Sequence, residues 1–96
     1  MDSNKYGIVV IPEFNPYTYY ASDVNEYELY EYINKYNESV CKDIMNWAHD
    51  KNSFDTLSID LFKDGSTILY YLSKDTMYHK RGDATCLIIT KGGLYS

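Results

Sequence analysis

Arginine occurs once in the 96 residues, cysteine and proline twice each, and glycine five times. A single Arg removes the guanidinium forks on which nucleic-acid readers depend. Acidic residues number 14 and basic residues 9, so the net charge is −5. Such a chain repels phosphate on average, and direct nucleic-acid binding is not expected. Cys41 and Cys86 form neither a CxxC pair nor a disulfide-dense spacing, which points to a reducing compartment and two small buried hydrophobes. No apolar run approaches the roughly 18 residues of a membrane span. No basic segment leading into an apolar one opens the chain, so neither a membrane nor a secretory signal is expected and the location expected is cytoplasmic. Repeats, low-complexity tracts and linkers are absent, and the length suits one domain over residues 1–96.

Catalytic and metal-binding patterns are equally scarce. The one Gly-rich stretch, Lys91-Gly92-Gly93, has no helix after it to cradle a phosphate. Cys41 and His49 do not share a helix face, and His79 with Cys86 would give two ligands without a third. A Cys86–His79 pair for nucleophilic catalysis would also need an orienting acid. Arg81-Gly82-Asp83 spells an adhesive tripeptide but is ordinary turn chemistry. The chain is therefore expected to be no enzyme and to use no metal or cofactor.

Tyrosine is abundant instead, at 12 residues. Tyr, Lys, Ile and Asn together supply 35 residues, while Gly, Ala, Pro and Arg supply 11. That bias follows AT-rich codons, as in low-GC bacteria and their phages. Charge is uneven as well. Residues 1–48 hold eight acids and three bases, a balance of −5, whereas residues 49–96 are neutral.

Hydrophobic spacing outlines the elements. Tyr6 to Phe14 reads as a strand around the β-branched run Ile8–Ile11, ended by Pro12. Asn15 to Tyr20 reads as a turn and an aromatic cluster. Asp23, with Glu26 three residues on, has capping-box spacing. Leu29, Ile33, Tyr36, Val40, Ile44 and Trp47 then recur at helical intervals, predicting one long helix over residues 23–49. Glu31–Lys35 and Glu38–Lys42 are spaced for i,i+4 pairing. Phe54–Phe62 alternates, with Leu57, Ile59 and Leu61 on one face. A two-residue turn at Asp64-Gly65 would pair those three with Leu72, Tyr70 and Ile68. Thr85–Thr90 is a last strand, with Thr76–Lys80 a candidate hairpin partner. The expected fold is α+β, in the order β-α-β-β-β. It has one mixed or antiparallel sheet of four to five strands, with one long helix packed on one face.

Seven tyrosines fall within residues 17–36, more than one apolar stripe can bury. Tyr contributes large contact area with little rotamer entropy, and here it is interleaved with carboxylates. Glu28, Tyr32 and Lys35 are spaced to share a strip outside the core stripe, which makes Tyr32 an expected exposed anchor. The candidate partner-binding residues are Tyr19, Tyr20, Glu26, Glu28, Glu31, Tyr32 and Glu38. The expected partner is a protein with a basic groove, such as a host nuclease or defence complex. In character the chain is similar to phage-encoded inhibitors that mimic nucleic-acid charge. An immunity or antitoxin-like partner of a cognate toxin is the alternative, as is a structural homodimer.

Overall fold

The computed structural model describes residues 5–13, 20–51, 54–72 and 83–93. In chain order they form β1 (Lys5–Ile11), β2 (Tyr20–Asn25), α1 (Glu26–Tyr36), α2 (Glu38–His49), β3 (Thr56–Phe62), β4 (Thr67–Leu72) and β5 (Ala84–Lys91). The class is α+β. All five strands pair antiparallel in one sheet, in the order β2-β1-β5-β3-β4. No helix among the described residues is long and apolar enough to cross a membrane.

The expected single helix is two helices. Asn37 breaks it with extended backbone, at φ −160° and ψ 112°. It serves both neighbours at once. Its N–H donates to the Ile33 carbonyl at 3.0 Å, its carbonyl accepts from Cys41 N–H at 3.0 Å, and its side-chain oxygen caps α2 by accepting from Val40 N–H at 3.2 Å. The reason for the break is length. An unbroken helix from Glu26 to His49 would run about 36 Å, whereas a seven-residue strand such as β3 spans about 23 Å. Part of the apolar stripe would overhang the sheet. Bending at Asn37 folds α2 back along α1, so that His49 near its end meets the Glu26 carboxylate at the start of α1. The Cys41 thiol donates to the Tyr30 carbonyl across the same pair.

Both helices cover one sheet face. Leu29, Ile33, Val40, Ile44 and Trp47 are buried against Ile8, Leu57, Ile59, Leu87 and Ile89. Each such side chain contributes about 1.5–3 kcal/mol on burial. Tyr36, assigned to this stripe by its spacing, is instead 53% exposed. It is the last residue of α1, where the chain turns away toward Asn37. Trp47 is fixed by a 2.7 Å bond from its indole N–H to the Phe54 carbonyl, with Lys91 Nζ 4.9 Å from its ring centroid.

β2 occupies residues where the helix is expected to start, and the expected turn at residues 15–19 lies outside the described residues. Asp23 does not cap the helix. It lies in β2, paired across the ladder with Gly7, and its carboxylate sits 3.2 Å from Lys5 Nζ. The cap falls two residues later, at Asn25, and the helix begins at Glu26.

The β3–β4 hairpin forms, but shifted by one residue. Phe62 N–H donates to Ser66 O and Gly65 N–H to Phe62 O, both at 3.0 Å, so the loop is Lys63-Asp64-Gly65. Gly65 has φ +89°. This is a three-residue loop, in which a turn is followed by a left-handed glycine. Leu57, Ile59 and Leu61 therefore oppose Tyr71, Leu69 and Thr67 rather than Leu72, Tyr70 and Ile68. Leu69 joins the helix-covered core, while Ile68 lies on the other face. That other face is not simply solvated. Ser58, Asp60 and Cys86 are fully buried there, with Ser58 Oγ 3.4 Å from Cys86 Sγ.

The segment Thr76–Lys80, offered as a partner for the last strand, lies outside the described residues. β5 itself has β1 on one side and β3 on the other.

Candidate functional site

The candidate surface grows from the junction of β2 and α1. Asn25 ends the strand and caps the helix. Its side chain accepts from Glu28 N–H at 2.8 Å, and Glu28 reaches back to accept from Asn25 N–H at 3.0 Å. This reciprocal capping box fixes the angle at which α1 leaves the sheet edge. Glu26 and Glu28 also stand in the first turn, where the helix dipole favours carboxylates.

Between α1 and the inner face of β2 runs an open groove of about 980 Å³. Ile8, Val10 and Val24 contribute apolar lining, together with Tyr20, Tyr27, Tyr32 and Tyr36. Its charged lining is Glu28, Glu31 and Lys35, a balance of −1. The groove thus gathers Tyr20, Glu28, Glu31 and Tyr32 from the expected set. Glu28, Tyr32 and Lys35 all line the groove, but Tyr32 packs against the core instead of standing outside it.

Other members of the set lie elsewhere. Glu26 pairs with His49 at the far end of α2. Glu38 opens α2 and borders a different recess, beside Cys41 and Lys42. Tyr19 lies outside the described residues. Tyr32 is not an exposed anchor. It is half-buried against the core, and its ring lies 5.3 Å from that of Tyr36, the hydroxyls 3.5 Å apart. Burial, and then the Tyr36 hydroxyl, push its phenol far above the ordinary value.

Most acids at this surface hold a local partner. The Glu31 carboxylate, one turn further along α1, raises the Tyr27 phenol pKa. Asp23 faces Lys5 and Glu28 caps the helix. The expected Glu31–Lys35 and Glu38–Lys42 pairs are not among the ion pairs of the described residues, which are Lys5–Asp23, His49–Glu26 and Lys63–Glu13. Burial, and then the Glu38 charge, push the Cys41 thiol upward and make it a poor nucleophile. Among the described residues no three His, Cys, Asp or Glu side chains cluster as a metal site.

Tyr27, Tyr30 and Tyr36 are the groove tyrosines that sequence reasoning left out of the site. Tyr27 is 67% exposed and Tyr20 66%. Both belong to the tyrosine-rich stretch, which was the available signal, but only the position of β2 shows which tyrosines face one another across a groove. Comparison with protein-family models, characterised proteins and solved structures finds no match.

Proposed function

We propose that this chain is a protein-binding module that occupies a basic groove on its partner, using the surface between α1 and β2. The observation that carries the reading is the gathering of Tyr20, Glu28, Glu31 and Tyr32 along one open groove, with Tyr27 and Tyr36 beside them. Exposed tyrosines supply contact area at low entropic cost, and carboxylates between them select a cationic counterpart. The use this chemistry suits is inhibition. A partner whose basic surface binds nucleic acid, such as a nuclease or a defence complex of a host cell, would be blocked by a negatively charged protein lodged there, and a phage-encoded inhibitor would act in this way.

The test uses the whole protein as bait in a bacterial lysate, followed by titration of the captured partner. Binding should weaken steeply with salt, and nucleic acid should compete for the same surface. Glu28→Gln with Glu31→Gln removes two charges, while a Gln at the third helical position keeps the capping box. This pair should weaken binding without changing the circular dichroism spectrum. A folded double variant that binds as tightly as the parent would overturn the reading. So would a partner that holds nucleic acid and this protein together.

A further inference from the structure

The backbone of β2 carries the assignment one step further, and it rests on the surface reading above. The Lys5 carbonyl accepts from Gly92 N–H at 2.8 Å, so Lys5 turns its backbone groups toward β5. In an antiparallel ladder these directions alternate. Tyr6, Ile8 and Val10 therefore turn theirs toward β2, where they face Val24, Ser22 and Tyr20. It follows that Ala21, Asp23 and Asn25 direct N–H and C=O away from β1, off the edge of the sheet. The outward N–H of Asn25 is taken by the Glu28 carboxylate, which agrees with this phase and closes one end of the edge. No partner among the described residues meets the outward N–H of Ala21.

β2 is also an edge that no other described strand covers. It contains no Pro and no Lys, and its register against β1 is unbroken from Asn25 to Tyr20. Natural edges usually carry such protection. The side chains of Tyr20, Ser22 and Val24 line the groove beneath α1. A strand added beside β2 would send every second side chain into that groove, toward Glu28 and Glu31 and the tyrosine rings.

We propose that the partner supplies an extended segment with Lys or Arg at alternate positions, which adds to the sheet along β2. Main-chain bonds hold it to the edge, and its cations reach the groove carboxylates and aromatic faces. A second copy of this chain suits the edge less well, because edge-to-edge pairing would bring Asp23, Glu28 and Glu31 of one copy toward the same residues of the other.

The probe is an acetylated, amidated peptide of alternating arginine and threonine, six residues long to match β2, titrated into the isotope-labelled protein. We expect slowed hydrogen exchange and a shifted resonance at the Ala21 amide. N-methylation of the peptide at alternate residues should abolish binding. Ala21→Pro removes the outward N–H while sparing the bonds to β1, and should weaken binding roughly tenfold or more, the scale of a lost strand contact. The exchange and N-methyl arms stand even if Ala21→Pro fails to fold. Binding that leaves Ala21 unprotected and tolerates N-methylation would overturn strand addition but spare the surface reading. Binding indifferent to Glu28→Gln with Glu31→Gln would overturn the surface reading itself. No binding of the peptide, or a dimer of the protein alone that Ala21→Pro dissolves, would also overturn the proposal, the latter in favour of self-pairing.

Discussion

Replacing Asn37 with Ala tests why the helical segment is bent. The substitution deletes the side-chain bond to Val40 N–H, and losing such a cap costs about 1 kcal/mol, within a range of roughly 0.5–2. Ala also favours a continuous helix over Asn by up to about 0.7 kcal/mol. Straightening would carry Val40, Ile44 and Trp47 off the sheet, forfeiting about 1.5–3 kcal/mol for each. The loss on straightening exceeds the gain several-fold, so the bend should persist in a protein that is merely less stable. We expect urea denaturation to show a loss of about 1–2 kcal/mol, and the melting temperature to fall by about 4–8 °C per kcal/mol in a chain of this size. Far-ultraviolet dichroism should be unchanged and Trp47 emission should stay blue-shifted. Asn37→Asp keeps an acceptor at the cap and should recover most of the loss. Parental stability in Asn37→Ala would refute the capping role. A rise in helicity with red-shifted Trp47 would refute the argument that sheet length sets the bend.

Three further outcomes are expected. Gly65→Val places a β-branched residue at φ +89° with open space around it, so strain alone should cost about 1–3 kcal/mol in a thermal melt, whereas Gly65→Asn should cost less. Trp47 should be shielded from acrylamide in the native state, and Trp47→Ala should lose about 3–5 kcal/mol in chemical denaturation through the cavity and the abandoned Phe54 carbonyl. The third concerns alkaline pH. The Tyr32 phenol is raised by burial and then by Tyr36, so its stabilising share is complete below the ordinary value of 10.0 and is lost as pH climbs toward the higher folded value. Urea midpoints between pH 8 and 11 should fall beyond pH 10, and Tyr32→Phe should lessen that fall.

The sequence was most legible where burial and local chemistry agreed. Ile8 and Val10 of the first strand, the alternation of Leu57, Ile59 and Leu61, and the stripe through Leu29, Ile33, Val40, Ile44 and Trp47 all reach the core or its margin as their periods imply. It was least legible where two local signals competed. Asp23 with Glu26 and Asn25 with Glu28 have the same capping-box spacing. Pairing with β1 draws Asp23 into a strand and leaves Asn25 to cap. β2 itself is an exposed edge of small and polar residues, with no alternation to announce it. The bend at Asn37 was hidden because the stripe runs on in register across it, and the limit is set by the sheet rather than by the helix. The hairpin slip has a similar origin. Asp-Gly fits both a two-residue turn and the end of a three-residue loop, and one residue reverses the faces of β4.

At the candidate surface, the carboxylates that composition marks as a charged face are largely engaged at home. Asp23 faces Lys5, Glu26 meets His49, Glu28 caps α1 and Glu31 lies one turn from Tyr27, whose phenol pKa it pushes up. Their charges still set the sign of the surrounding field, so they remain able to select a cationic partner, but folding alone accounts for their presence. The tyrosines are different. A helix of this length needs Leu29 and Ile33 to pack on the sheet, and it does not need Tyr27 at 67% exposure or Tyr36 at 53%. Nor does an edge strand need Tyr20 at 66% when a polar residue would guard the edge better. Large aromatic surface left in water beside an open strand edge is what binding explains and stability does not. The proposed binding therefore draws its contact area from Tyr20, Tyr27 and Tyr36 and its strand edge from the Ala21 backbone, while Glu28 and Glu31 in the same groove would set the charge of the partner it accepts.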